Sequence, residues 1–228
     1  MKSKIGQSEQ INSSKVSLPN YIVIEGPIGI GKTTLTLQLA REFGTETLLE
    51  DSSVNPFLED FYKDRVSSAL PTQLYFLFQR LQQLQEMRQV DIFKKIFISD
   101  FFIQKDPLFA GVNLNNHEYH LYQQVFSNVI RDLPKPDLVV YLQASTKTLF
   151  NRVKKRGRVI EKEVEFEYLE EINDAYTQYF YHYAETPLLI VNTDRVDFAE
   201  NKSDFFSLAQ LISKIKKGRH YYNPMPLN

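Results

Sequence analysis

The chain has 228 residues, of which 43% are hydrophobic and 24% charged, with a formal net charge of −1 and no cysteine. These values exclude disulfides, thiol catalysis, cysteine-based metal sites and a strongly basic surface for nucleic acid or an anionic membrane. The length fits one α/β domain. No apolar run is long enough to span a membrane, and no apolar stretch follows the N-terminal lysines as in a signal peptide, so we expect a cytoplasmic protein.

The first ordered segment is predicted to be a strand that leads into a phosphate-binding loop. Residues 1–18 are polar and are predicted to form a mobile leader ahead of a folded domain at 19–217. The apolar run 21–25 predicts a strand, and a helix is predicted at 32–43. Between them the sequence matches G-x-x-x-x-G-K-[ST], in which backbone N–H groups and the lysine bind phosphates and the hydroxyl ligates Mg²⁺. The predicted ATP-binding residues are Gly26, Pro27, Ile28, Gly29, Ile30, Gly31, Lys32, Thr33 and Thr34.

Two acidic residues end the next predicted strands, at 46–50 and 95–100. Glu50 ends the first, at the edge of an open α/β sheet where ligands bind, and could accept a proton from an attacking hydroxyl. A solvated strand-end charge is an equally good interpretation of Glu50. Asp100 ends the second strand, where a carboxylate commonly holds Mg²⁺ near a phosphate loop, and a turn or helix-cap role is its alternative.

A long helix is predicted from Pro71 to about residue 89, after a short helical piece that begins near Asn55 and carries Tyr62. Gln73 and Arg80 are seven residues apart and therefore share one face of the long helix. A glutamine amide both donates and accepts hydrogen bonds, as the edge of a nucleobase requires. Taken alone, however, the two side chains are more typical of a helix surface.

The second half of the chain continues the alternation of strands and helices. Helices are predicted at 116–132, 146–155, 165–184 and 203–217, and strands at 137–142 and 187–192. This alternation predicts a parallel sheet with helices on both faces, and a loop-like tail is expected at 218–228. A dense basic segment contains Arg152, Arg156 and Arg158, with Glu161 just after it. Its composition suits a lid over a triphosphate, although a solvated helix end is the usual explanation for such a run.

Four of these segments, in order, resemble the deoxynucleoside kinase family, and in particular its bacterial deoxyadenosine and deoxyguanosine kinases. They are IEGPIGIGKT at 24–33, NPFLEDFY at 55–62, the stretch from Gln73 to Arg80, and the lid segment at about 152–161. The likeness covers about residues 20–195. It implies a P-loop kinase fold with a five-stranded parallel sheet, a homodimer, and Mg²⁺ with ATP as the phosphate donor.

The resemblance also implies a role for each matching residue. Glu50 corresponds to the general base for the 5′-hydroxyl, and Lys32, Arg152 and Arg156 correspond to the cations around the phosphates. The residues implied to bind the deoxynucleoside, besides Glu50, are Tyr62 and Glu161 at the 3′-hydroxyl, Gln73 and Arg80 at the base, Asp106 as the acid that pairs with Arg80, and Arg158 in the lid. Thr33 and Asp100 are the implied metal ligands.

One departure from the family pattern follows the third predicted strand. The family has an acid-Arg-Ser triplet there, whereas this chain reads Ser99-Asp100-Phe101 and lacks the arginine. Asp100 occupies either the arginine's position or, with a one-residue gap, that of the acid. Asp106 takes the place of the acid that pairs with the base-reading arginine only with a shift, because Lys105 falls there without a gap.

From the sequence we therefore expect ATP-dependent phosphorylation of the 5′-hydroxyl of a deoxynucleoside, with purines favoured. A nucleoside monophosphate kinase is the rival within the same class of enzyme. A family member without catalysis, acting as a binding or assembly subunit, is the rival outside it. The missing arginine favours that second rival, and the presence of Lys32, Glu50 and the lid arginines argues against it.

Overall fold

The structure, a computed structural model, describes residues 18–89, 95–194, 196, 198 and 201–223. The expected leader therefore lies outside the described residues except for Leu18, which is buried. Six strands form one sheet in the order β2-β3-β1-β4-β5-β6, with every neighbouring pair parallel. They are β1 (Tyr21–Glu25), β2 (Glu46–Leu48), β3 (Phe97–Ser99), β4 (Leu138–Gln143), β5 (Leu188–Asn192) and β6 (Arg219–Tyr222).

Eight α-helices connect and cover the strands within the described residues. They are α1 (Lys32–Phe43), α2 (Leu58–Lys63), α3 (Arg65–Gln89), α4 (Asp106–Asn113), α5 (Asn116–Val129), α6 (Thr146–Arg156), α7 (Phe166–His182) and α8 (Lys202–Lys214). Single 3₁₀ turns occur at Ser52–Val54, Ile103–Lys105 and Val159–Glu161. No helix of the described chain combines the length and hydrophobicity that a bilayer crossing requires.

The sheet is buried on both faces, as strand residues of alternating direction show. In β1, Tyr21 and Val23 join a core that includes residues of α2, α3, α4 and α7. Ile22 and Ile24 point the opposite way and pack with residues of α1 and α8. Helices therefore cover both faces, which confirms the predicted α/β class and explains why β1 is apolar without interruption.

The sheet has one strand more than the five expected, and the extra strand lies in the segment predicted to be a loop. Residues Arg219–Tyr222 pair in parallel with Leu188–Val191 of β5. The prediction of a loop-like tail was wrong here because this stretch is short, largely exposed and flanked by Gly218, so it lacks the buried apolar pattern of the other strands.

Two helices also differ from the prediction. The long helix begins at Arg65 rather than at Pro71, so the proline lies in its interior. Pro71 has no N–H to donate to the carbonyl of Ser67, but Ser67 is exposed and water can satisfy that group. Helix α4 is not among the predicted elements, because Pro107 and Gly111 resemble loop residues in sequence. Pro107 in fact lies in the first turn, where a proline is well tolerated.

The strand order fixes where a ligand can bind. The chain passes from β1 outward to β2 and β3, and then crosses back over β1 to reach β4 on its other side. At the carboxyl end of a parallel sheet, such a reversal opens a crevice beside the central strand. The phosphate-loop sequence follows β1 directly and therefore lies at this crevice.

Candidate active site

Two clefts open at the carboxyl edge of the sheet and meet at the phosphate loop. The first cleft extends from the loop toward α3 and is lined by most of the predicted site residues. The second cleft lies beside the start of α1 and is lined by Thr34 and Arg152, among others. Gly29 and Arg156 line both clefts. Two ligands bound in the two clefts would therefore meet at the loop and the end of α6.

The loop is packed so closely on its neighbours that two of its positions accept no side chain. A Cβ atom at Gly26 would lie 2.4 Å from the carbonyl oxygen of Leu142, and one at Gly29 would lie 2.7 Å from the side chain of Val153. Both glycines also have positive φ. At the end of the loop, Gly31 starts α1 without a side-chain cap, which leaves the first N–H groups of the helix available to an anion.

Lys32 lies at the bottom of the loop with its ammonium turned to backbone oxygens. It donates to the carbonyls of Gly26, at 2.7 Å, and Pro27, at 3.3 Å. Burial lowers the pKa of Lys32 to about 8, and the nearby positive charge of Lys105 acts in the same direction. Phosphate groups in the loop would reverse this effect, because they favour the charged form of the lysine.

Asp100 connects the loop to Glu50. One oxygen of its carboxylate accepts a hydrogen bond from the Thr33 hydroxyl at 2.5 Å, and the other accepts from the backbone N–H of Glu50 at 2.7 Å. Asp100 is 2% exposed, and burial raises its pKa. Its alternative interpretation as a helix cap does not apply, because Phe102 is the N-cap of the next helical turn and Lys105 that of α4.

The oxygens of Thr33 and Asp100 fit the divalent cation that the resemblance implies. Hydroxyl and carboxylate oxygens are suitable ligands for Mg²⁺, which commonly takes one or two carboxylates from the protein and further ligands from phosphates and water. Around no point in the described chain do three carboxylate or imidazole side chains converge as a metal cage. The protein's share of a magnesium site would thus be these two side chains.

Glu50 and Asp106 flank Arg80, which is 4% exposed on α3. The Arg80 guanidinium pairs directly with both carboxylates. Burial alone would raise the pKa of Glu50, but the cations Arg80, Lys105 and Lys32 outweigh it and hold that pKa at about 2. Burial raises the pKa of Asp106 to about 6, against the opposing effect of Arg80. Glu50 lines the first cleft, whereas Asp106 is fully buried behind Arg80 and does not reach it.

Gln73 lies on the same helix as Arg80, two turns before it, and lines the first cleft. Its side chain is 4% exposed and lines the cleft, yet its amide forms no hydrogen bond with any described residue. The wall around it is rich in aromatic rings, including Phe61, Phe76 and Phe109. A buried amide that faces a ring-lined cleft without a protein partner is well suited to the edge of a planar heterocycle.

Four residues of the basic segment and its neighbourhood line the other side of the first cleft. Arg156, at the end of α6, donates to both carboxylate oxygens of Glu161 at 2.5 and 2.6 Å. Arg158 is more exposed and lies 3.8 Å from the same carboxylate. Tyr62 lines the cleft nearby, and burial raises the pKa of its hydroxyl, so that hydroxyl stays protonated and able to donate. A Tyr–Glu pair of this kind can bind a hydroxyl group.

Arg152 takes part in the second cleft rather than the first. It lies one turn before Arg156 on α6 and donates to the carbonyl of Thr193, at 2.7 Å, and to the hydroxyl of the same residue, at 3.0 Å. It also reaches the carbonyl of Ile30 in the phosphate loop. Arg152 thereby connects the loop after β1 to the segment after β5, the two walls of the second cleft.

The structure therefore brings the predicted site residues to one region, with two exceptions in detail. Asp106 supports Arg80 from behind, and Arg152 lies in the second cleft. Lys105 was not predicted as a site residue, although it is buried and lines the first cleft. The ungapped family alignment places Lys105 at the position of the acid that pairs with the base-reading arginine, but a single lysine between polar residues is otherwise typical of a surface. Only the three-dimensional structure reveals that the turn Ile103–Lys105 directs it inward.

Comparison with known proteins agrees with this geometry. The sequence model described as deoxynucleoside kinase matches residues 22–217. The chain is 35% identical over 200 residues to a deoxyguanosine kinase of Bacillus subtilis (strain 168), covering 86% of this chain and 97% of that protein. It is 32% identical over 194 residues to a deoxyadenosine kinase of Lactobacillus acidophilus, covering 79% and 88% of the two chains.

Solved structures give the same result at the level of the fold. A deoxyadenosine kinase from M. mycoides with the products dCMP and a flexible dCDP bound superposes with a TM-score of 0.74 at 30% identity. The match covers 86% of this chain and all of that one. The same enzyme with bound dATP gives a TM-score of 0.75 at 28% identity, covering 85% of this chain.

Proposed function

The chain belongs to the deoxynucleoside kinase family and phosphorylates deoxynucleosides, and from this premise we propose that it transfers the γ-phosphoryl group of ATP to the 5′-hydroxyl of a purine deoxynucleoside. The observation that carries the proposal is the meeting of the two clefts at Gly29 and Arg156. One cleft beside the phosphate loop suits ATP, and the other suits the acceptor. The reacting groups then meet above Lys32.

The proposed reaction is an in-line displacement at the γ-phosphorus. The 5′-oxygen of the acceptor forms a bond to phosphorus while the bond to the β,γ-bridging oxygen breaks and ADP leaves. Glu50 takes the proton of the 5′-hydroxyl, and its ionised state at neutral pH supports this role. Lys32 and the lid arginine Arg156 would stabilise the charge on the transferring oxygens, because such charge is the main demand of phosphoryl transfer.

We propose that the deoxynucleoside lies along the first cleft with its base at the Gln73 end. Tyr62 and Glu161 would hold the 3′-hydroxyl, with Arg158 over the same end of the cleft. The unpartnered Gln73 amide would hydrogen-bond the base edge, and Arg80 would approach the base as well. Asp106 would act indirectly, since its carboxylate fixes the Arg80 guanidinium from the side away from the cleft.

Mg²⁺ is proposed as the cofactor that accompanies ATP, held by Thr33 and Asp100. When bound, it would neutralise charge between the phosphate oxygens. The chain's own contribution is to place a hydroxyl and a carboxylate oxygen side by side at the end of the phosphate loop. The backbone N–H of Glu50 orients the same carboxylate, so the metal ligand and the general base are fixed relative to each other.

Neither rival from the sequence is favoured. A nucleoside monophosphate kinase would bind the phosphate of its acceptor at the place where the first cleft has the Glu50 carboxylate, which would repel that phosphate. A family member without catalysis would not need Lys32, Glu50 and Arg156 around one cleft, so their presence there argues against that rival. The relatives with named activities are also nucleoside kinases.

The proposal is tested by measuring which acceptor consumes ATP. The purified protein is incubated with Mg·ATP and each of the four deoxynucleosides, or each of the corresponding monophosphates, and ADP and the nucleotide product are quantified. We expect turnover with deoxyadenosine or deoxyguanosine, with a 5′-monophosphate as the product. Turnover that requires a monophosphate acceptor would contradict the proposed function, and turnover fastest with a pyrimidine would contradict the purine preference.

We also propose that the protein acts as a homodimer in the cytoplasm, as the family resemblance implies. Helix α5 supports an exposed interface, since Tyr122 is its one fully buried residue while Leu121 is half exposed. Light scattering on the purified protein gives the mass directly. A mass near twice 26.7 kDa is expected, and a monomer at assay concentration would contradict the proposed dimer.

A further inference from the structure

A lysine outside the predicted set lies at the floor of the first cleft. Lys105 ends the 3₁₀ turn that precedes α4 and is 2% exposed. Its ammonium lies 3.5 Å from a carboxylate oxygen of Glu25 and 4.0 Å from one of Glu50. It also lies 5.5 Å from the centre of the Phe109 ring. Lysine is rarely buried to this extent unless its charge has a use or a partner.

The two neighbouring carboxylates do not saturate this ammonium. Glu25 accepts hydrogen bonds through its other oxygen, from the N–H of Gly26 and the hydroxyl of Tyr176, while the oxygen that faces Lys105 accepts none. The Lys105 ammonium forms ion pairs at these distances but no hydrogen bond with a described residue. An ammonium has three donors, so a ligand that enters the cleft can accept from it.

Three other cations around the cleft are already engaged by the protein. Lys32 donates to loop carbonyls, Arg80 is paired with two carboxylates, and Arg156 binds Glu161 through two nitrogens. Directly after Asp100, the chain has Phe101, which is fully buried in the apolar core and offers no charge.

The charge of Lys105 reduces the electrostatic repulsion between the carboxylates of Glu25 and Glu50 and an incoming phosphoryl group. Glu25 and Glu50 are two carboxylates close to the place where an anionic phosphoryl group must arrive. Without a cation between them they would repel that group, and at the effective dielectric of a partly buried site such repulsion is substantial. The Lys105 ammonium lies within 4.0 Å of both carboxylates, and Lys105 lines the cleft, so its charge offsets theirs in this region.

We propose that Lys105 is a catalytic residue of the kinase, whose ammonium donates to the oxygens of the phosphoryl group as it passes to the 5′-hydroxyl beside Glu50. The inference rests on the proposed function and deepens it. The turn Ile103–Lys105 places a positive charge at the floor of the cleft. Phe101, which follows Asp100 where the family has an arginine, does not supply such a charge. Lys32 then acts from the ATP side of the transferring group and Lys105 from the acceptor side.

The test compares Lys105→Met, which keeps the length and removes the charge, with Lys105→Arg, which keeps the charge. Steady-state kcat and both KM values are measured with Mg·ATP and the best deoxynucleoside. Removing one preorganised donor from a charge-stabilising site typically costs about 10²–10³ in kcat. We expect that loss in Lys105→Met with both KM values within about threefold, and partial recovery in Lys105→Arg. Lys95→Met is the matched control, since Lys95 is an exposed lysine two residues before β3.

A purely structural role is separated by a second pair of variants. If Lys105 serves only to neutralise Glu25, then Glu25→Gln combined with Lys105→Met removes both buried charges and restores kcat to that of Glu25→Gln alone. The proposal expects the double variant to remain slow by the same factor. If Lys105→Met alone is not stably folded, as judged by the absence of a cooperative unfolding transition, the comparison of the double variant with Glu25→Gln decides by itself.

The outcomes for the inference and for the proposed function are distinct. If the wild-type protein turns over and kcat is unchanged in Lys105→Met, the role of Lys105 is overturned and the kinase activity stands. The same holds if the double variant recovers the full kcat of Glu25→Gln. A folded wild-type protein without turnover on any deoxynucleoside removes the proposed function first, and the inference with it.

Discussion

The guanidinium of Arg80 pairs with the carboxylate of Glu50, which joins the helix that carries Gln73 to the segment that follows β2. The two ends of the first cleft are therefore mechanically linked, since Arg80 belongs to the proposed base site and Glu50 to the reaction centre. The same pairing holds the pKa of Glu50 at about 2, so this carboxylate is ionised under all ordinary assay conditions.

Replacing Glu50 by Gln should abolish most of the turnover without preventing ATP binding. The amide cannot accept the 5′-hydroxyl proton, so we expect kcat to fall by about 10²–10⁴. Binding of a fluorescent ATP analogue should persist, because the phosphate loop is untouched. Glu46→Gln is the control, since Glu46 is an exposed carboxylate on the preceding strand. Near-normal kcat in a folded Glu50→Gln protein would exclude the role of general base.

Replacing Gln73 by Ala should affect the nucleoside and leave ATP alone. The amide is buried, borders the cleft and has no partner among the described residues, so its removal deletes hydrogen bonds to the base rather than contacts within the protein. KM for the deoxynucleoside should rise by about tenfold or more, and KM for ATP should not change. Gln82→Ala, exposed on the same helix, should match wild type. Equal shifts in both KM values would place Gln73 outside the base site.

The two arginines of α6 should differ in their effects. Arg156→Gln removes a cation that lines both clefts, and kcat should fall by about 10³ or more, with KM for the deoxynucleoside little changed. Arg152→Gln should raise KM for ATP as well, because Arg152 connects the phosphate loop to Thr193 across the second cleft. Lys155→Gln, an exposed neighbour, is the control. If both arginine variants behave like this control, the segment is a solvated helix end.

Replacing Asp100 by Asn should weaken the apparent affinity of the enzyme for Mg²⁺. The Asn side-chain oxygen can still accept from the N–H of Glu50, so the local fold is kept while one negative charge is lost. We expect a higher Mg²⁺ concentration for half-maximal activity, lower turnover, and partial recovery at high magnesium. Asp51→Asn, an exposed neighbour whose oxygen caps Ser53, is the control. An unchanged magnesium titration with full activity would retire Asp100 as a ligand.

The buried pair of Asp106 and Arg80 predicts a pH dependence of stability. Burial raises the pKa of Asp106 in the folded protein to about 6, above its ordinary value of 3.8. The folded state therefore binds this proton more tightly, and the stability contributed by the group is present at low pH and lost as the pH rises through about 6. Relative to Asp106→Asn, the wild-type free energy of unfolding should fall by up to about 1.4 kcal/mol per pH unit between about pH 4 and pH 6.

Urea denaturation of both proteins across this range measures the difference directly, and other titrating groups cancel between them. Asp60→Asn, at an exposed helical position, should run parallel to wild type. A constant difference between wild type and Asp106→Asn would show that Asp106 does not titrate in this range.

Much of the site follows from the sequence because its parts are local or lie at strand ends. The phosphate loop is one contiguous motif, and Glu50 and Asp100 both follow parallel strands whose carboxyl ends share one edge of the sheet. Their hydrogen bond through the Glu50 N–H is a consequence of that geometry. The long-range placement of Lys105 is different in kind. It depends on how the turn before α4 brings the Lys105 ammonium to Glu25 and Glu50, which are distant in sequence, and no local pattern encodes those contacts.

The fold shows the same division. Strands buried on both faces were predicted because they are near-continuous apolar runs. Strand β6 was not predicted, because it is held by backbone pairing with β5 and its exposed side chains give no hydrophobic pattern. The start of α3 was misplaced at Pro71 since proline normally marks a first turn. The contacts of buried neighbours such as Ala69 and Thr72 stabilise the helix across it.

Strand β6 has a consequence for how the chain is made. Strand β5 is almost entirely apolar, and β6 provides the hydrogen-bonding partner along its outer edge. On the ribosome β5 emerges before β6, so for a time its backbone N–H and carbonyl groups are open to a neighbouring nascent chain. When β6 arrives, it covers that edge with a short strand whose Arg219 and His220 are exposed. Polar, exposed side chains of this kind discourage edge-to-edge pairing, so the last described strand protects the sheet against aggregation.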